Sequence, residues 1–77
     1  MATLEEEIGQ RVQQLRGERT QVAFAQATGV AQAVICRCER GDSVPALHNL
    51  IAIATEGGVS LDWLCAGRGG RNRSGRA

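Results

Sequence analysis

The sequence predicts an all-α domain of five short helices, and three observations carry that prediction. Apolar residues recur at intervals of three and four, the helical period, in one segment after another. Glycines stand just past the ends of those segments, where a helix is commonly stopped. No stretch of useful length shows the apolar–polar alternation of a strand. With 77 residues, the chain holds one domain at most.

The first helix is predicted over about residues 4–16. Thr3 suits its N-cap, and Glu6 three residues on completes a capping-box pattern. Glu5, Glu6 and Glu7 fill the first turn, where the helix dipole favours negative charge. Leu4, Ile8, Val12 and Leu15 form its apolar stripe, and Gly17 ends it. Thr20 suits the cap of a second helix running to Thr28, with Phe24 and Ala25 facing inward and Gly29 at its end. After Val30 and Ala31 a third helix is predicted over 32–40, ended by Gly41. Residues 42–45 form a loop whose Pro45 suits a first helical turn. Leu47, Leu50, Ile51 and Ala54 mark a fourth helix by their spacing, with Gly57 and Gly58 stopping it. Ser60 suits the cap of a last short helix carrying Leu61, Asp62, Trp63 and Leu64. The domain is expected to occupy residues 1–66. Residues 67–77, GRGGRNRSGRA, have nothing to bury and are expected to form a disordered Gly/Arg tail.

The informative stretch is 20–41. Two short helices joined by a tight turn containing Gly make a helix-turn-helix. In that arrangement the second helix enters the major groove of DNA and the first lies across the backbone. Turning about 100° per residue separates the faces of the third helix. Val34, Ile35 and Cys38 fall inward, with Glu39 at their edge. Gln32, Ala33, Cys36, Arg37 and Arg40 fall outward. Amide and guanidinium groups beside small residues are what reading base edges requires.

These residues resemble the helix-turn-helix of the lambdoid phage repressor and Cro proteins, the xenobiotic-response-element type of regulator. The resemblance runs through Gln21, Phe24, Ala25, Gly29, Val30, Ile35, Glu39, Gly41 and Pro45, and again through VSLDWLCAG at 59–67. It implies a lambda-repressor-like fold. It also implies that Gln21 meets a phosphate, Gln32 reads adenine beside Ala33, Arg37 reads guanine and Arg40 meets the backbone. Arg16 and Glu39 correspond to an ion pair joining the first helix to the third. The region of Leu61 and Trp63 corresponds to a dimer contact, against the ordinary reading of Trp63 as core. Arg19 is a further candidate for phosphate contact, or else a solvated loop charge. The chain departs from the pattern at Ala31, which gives up an N-cap contribution of about 0.5–2 kcal/mol. It departs again at Gly57, where a Leu commonly packs, and at Cys36 and Cys38.

Charge says little by itself. All nine basic residues are Arg; residues 1–66 hold five of them against eight acids, and residues 67–77 hold four with none. That tail is a candidate for phosphate contacts that would restore attraction to DNA. Cys36 and Cys38 point about 200° apart on a helix, so they do not form one chelate, and no metal or cofactor is expected. Oxidation of Cys36 on the groove face would block binding. Three cysteines do not make a disulfide scaffold. No segment approaches the roughly 20 apolar residues of a membrane span, and the acidic N-terminus is no secretory signal, so a cytoplasmic protein is expected. With one His, no Tyr and no nucleophile–base pair, no enzyme or small-molecule site is evident. The expected function is a sequence-specific, repressor-like regulator that binds the major groove of double-stranded DNA with the third helix, as a homodimer joined around the fourth and fifth helices. Its rival is an antitoxin-like or other protein-interaction module on the same scaffold, against which the outward Gln32, Arg37 and Arg40 argue.

Overall fold

The computed structural model describes residues 1–69. The last eight residues of the expected tail lie outside the described residues. Five helices follow in order: α1 (Leu4–Arg16), α2 (Gln21–Thr28), α3 (Gln32–Glu39), α4 (Leu47–Gly57) and α5 (Leu61–Ala66). No described helix is long and apolar enough to cross a membrane.

The starts of the helices follow from side-chain chemistry. At Thr3 both halves of the capping box form: Glu6 N–H donates to Thr3 Oγ1 at 3.1 Å, and Thr3 N–H donates to Glu6 Oε1 at 3.0 Å. Thr20 Oγ1 accepts from Ala23 N–H, and Ser60 Oγ accepts from Trp63 N–H, each at 3.0 Å. Helices α3 and α4 begin at Ala31 and Ala46, which supply no side-chain cap. Pro45 stands outside α4, buried in front of its cap, and not in its first turn.

The core gathers Ile8 and Val12 of α1, Phe24 of α2, Ile35 and Cys38 of α3, Leu50, Ile53 and Ala54 of α4, and Leu64 of α5, with Val30 and Val59 from the turns. Burying such side chains removes apolar surface from water at about 25 cal/mol per Å², the main force holding so small a chain together. Helix α1 packs closely on α3 because residue 9 is Gly. A Cβ there would collide with the Cys38 carbonyl oxygen.

Two apolar stripes differ from the expected ones. Leu4 is exposed at the start of α1. In α4 the buried face is Leu50, Ile53 and Ala54, so Leu47 and Ile51 point outward, 64% and 47% exposed. The run LIAIA is apolar at every position, so spacing alone allows the stripe to slip by a residue. Gly57 is filled from the other side: a Cβ there would meet the Leu15 side chain at 2.7 Å, so Leu15 occupies the space a larger residue would take.

Candidate nucleic-acid interface

Helix α3 is anchored on its inner side and open on its outer side. Ile35 and Cys38 are fully buried and Val34 is half-buried. Gln32, Ala33, Arg37 and Arg40 are exposed, and Cys36 is half-buried among them. Burial pushes the inward Cys38 thiol up to about 11, with Glu39 adding to the effect, so it stays a neutral core group.

The orientation of α3 is set by Glu39, whose side chain is only 4% exposed. Arg16 of α1 donates to it twice, from Nε to Oε2 at 2.7 Å and from Nη2 to Oε1 at 2.8 Å. This fork-to-fork geometry is the strongest form of the arginine–carboxylate pair. Gln13 Nε2 adds a bond to the Glu39 carbonyl at 3.1 Å. The end of α3 is thereby tied to α1, while its outward residues carry none of that load.

Gln21 is half-buried at the start of α2, where its Nε2 donates to Glu39 Oε1 at 3.1 Å. The structure thus places Gln21 in the network that positions α3, at the helix end whose dipole carries partial positive charge. Arg19 is tied back onto the domain, with its side chain 39% exposed. Its guanidinium lies over the Phe24 ring, 4.8 Å from the centroid, and pairs with Glu56 at 3.1 Å. Its remaining nitrogens donate to the carbonyls of Arg16 and Leu15 at 3.2 and 3.0 Å. Those four contacts come from α1, α2 and α4 together, so local sequence gives no sign of them. Arg40 extends from the end of α3 and donates from Nε to Asp42 Oδ2 at 2.9 Å.

The remaining cations divide in the same way. Arg11 pairs with Glu7 at 3.7 Å and donates to the Leu64 carbonyl at 3.1 Å, joining α1 to α5. Among the described residues, Arg37 and Arg68 are the arginines outside any ion pair. Leu61 and Trp63 are both half-buried and packed against the core. The outward apolar residues nearby are Leu47 and Ile51 of α4, two of the four residues whose spacing marks that helix.

Known proteins resemble this chain in sequence and in fold. A helix-turn-helix family model matches residues 12–64. Over 45 residues, 58% of the chain, it is 42% identical to an HTH-type transcriptional regulator of Haemophilus influenzae, of whose length it covers 19%. Its fold matches the crystal structure of the restriction-modification controller protein C.AhdI from Aeromonas hydrophila with a TM-score of 0.69 at 26% identity. That likeness covers 78% of this chain and 94% of the other. The expected lambda-repressor-like fold is therefore present, and the chain belongs to the Cro/C1-type helix-turn-helix family of DNA-binding transcriptional regulators.

Proposed function

We propose that the protein is a sequence-specific, repressor-like regulator that lays α3 in the major groove and binds as a homodimer. One observation carries the reading. The outward face of α3 presents Gln32, Ala33 and Arg37 to solvent, and Arg37 enters no ion pair although Arg11, Arg16, Arg19 and Arg40 each have an acidic partner. A cation left unpaired on an exposed, rigidly held helix is suited to bidentate contact with guanine, and the amide of Gln32 to adenine. Ala33 lets the helix approach closely. Gln21 and Arg40 flank this face toward the backbone.

The reach of one helix-turn-helix and the exposed surface of α4 both support the homodimer reading. One small helix-turn-helix contacts a single half-site, and two related by a dyad contact half-sites about one helical turn apart. Leu47 and Ile51 lie one turn apart on α4, and Ile51 lines an open groove with Val59 and Leu61, whose rim also carries Thr55, Ser60 and Asp62. That apolar surface supports a second copy packing across α4 and α5.

Selection of bound sites from random duplexes tests the proposal. The expected outcome is a two-fold symmetric site. Arg37→Ala and Gln32→Ala should each relax one position per half-site, at about 1–3 kcal/mol per lost contact. No enrichment beyond that of the two variants would overturn it.

A further inference from the structure

Of the two outward arginines, Arg37 within α3 and Arg40 at its C-cap, Arg40 is ion-paired and Arg37 is not, and the backbone at the end of the helix explains why. Arg40 N–H donates to the Cys36 carbonyl at 3.1 Å and closes the helix. Gly41 then takes a φ of 79°, a left-handed conformation that residues with a Cβ adopt at a cost. Its N–H donates to the Cys38 carbonyl, and Asp42 N–H donates to the Arg37 carbonyl, both at 3.0 Å. These two bonds are the crossed pair of a Schellman cap. The cap fixes residue 42 against the last turn, so the Asp42 carboxylate faces back along the helix. There Arg40 Nε donates to Oδ2 at 2.9 Å, and Nη2 donates to the same oxygen. Both side chains are well exposed, and the Asp42 carboxylate engages the guanidinium nitrogens that would otherwise be free to meet a phosphate.

A phosphate contact adds affinity for every duplex alike and carries no sequence information. Base-edge contacts by Gln32 and Arg37 carry that information and do not involve Asp42. On the reading given under Proposed function, which places Arg40 toward the backbone, we propose that Asp42 is a specificity-determining residue. It withholds Arg40 from the DNA backbone, so binding leans on the base-reading side chains. The domain therefore gains less sequence-independent affinity from this helix and its C-cap than the outward Arg37 and Arg40 suggest.

The test is binding of the full chain to a labelled mixed-sequence duplex about three helical turns long, over roughly 50–200 mM salt. The proteins are wild type, Asp42→Asn, Arg40→Gln and the double variant. Asp42→Asn should tighten binding about 1.5- to 5-fold, the range an exposed ion pair spans. It should steepen the slope of log affinity against log salt by about 0.9 per protomer, one more phosphate contact. In the Arg40→Gln background the same substitution should change neither quantity. Asp42→Ala should repeat the gain without the amide of Asn. An unchanged slope in Asp42→Asn overturns the proposal. So does an equal gain in the Arg40→Gln background, because Asp42 would then act only by repelling DNA. If no protein of the set binds the duplex, the DNA-binding reading itself fails and the inference falls with it.

Discussion

Glu39 is the residue on which three helices converge, since Arg16 of α1 and Gln21 of α2 both donate to its carboxylate on α3. Taking that carboxylate out of water is costly, and the fork of Arg16 offsets the cost only while both partners remain. Arg16→Met leaves a buried charge with Gln21 alone, and should lower unfolding stability by about 3–5 kcal/mol in urea titration. Adding Glu39→Leu should recover most of that loss, because an apolar pair of similar volume removes the orphaned charge. A double variant as unstable as the single one would contradict this account. The Arg16–Glu39 pair was legible in the sequence, through the family resemblance and through the placing of Glu39 at the edge of an apolar face. The environment of Arg19 was not. Its partners Phe24 and Glu56 lie five and 37 residues away, and only the packing of α2 and α4 around it brings them together.

At the scale of elements, the helix starts were read most easily, because Thr3, Thr20 and Ser60 act within three residues of themselves. The inner faces were read less well where composition was uniform. In α3, polar and apolar residues differ enough to fix the faces, and Gln32, Ala33 and Arg37 stand outside as expected. In α4, spacing pointed to Leu47, Leu50, Ile51 and Ala54, but in a run apolar at every position tertiary packing buries Leu50, Ile53 and Ala54 and exposes Leu47 and Ile51. The uncapped start of α3 offers a direct prediction. Ala31 has an extended backbone, with φ −59° and ψ 139°, and no side-chain bond to the first turn. Ala31→Ser should supply one and raise stability by about 0.5–2 kcal/mol, seen as a higher Tm in thermal melts. An unchanged Tm would mean that the first-turn N–H groups are already satisfied by solvent at no cost.

For the whole molecule, ion pairing and exposure divide the surface into working regions. Arginines that join helices are matched by acids, and Arg37 on the outer face of α3 is not. Leu4, Val22 and Val44 are also exposed, but the pair proposed for a second copy, Leu47 and Ile51, lies on a different helix, α4, so the surface proposed for DNA and that proposed for a second copy do not share residues. Leu47→Glu with Ile51→Glu should therefore shift the protein toward monomer in sedimentation velocity while its helical circular dichroism stays the same. An unchanged sedimentation profile would place the dimer contact elsewhere. The most direct test of the central claim is a map of backbone amide shifts as the labelled protein is titrated with its selected duplex. The claim predicts that the largest changes fall on residues 32–40 and the start of α2, with Arg37 and Gln32 side-chain signals among them. Changes confined to α4 and α5, with α3 unperturbed, would contradict it.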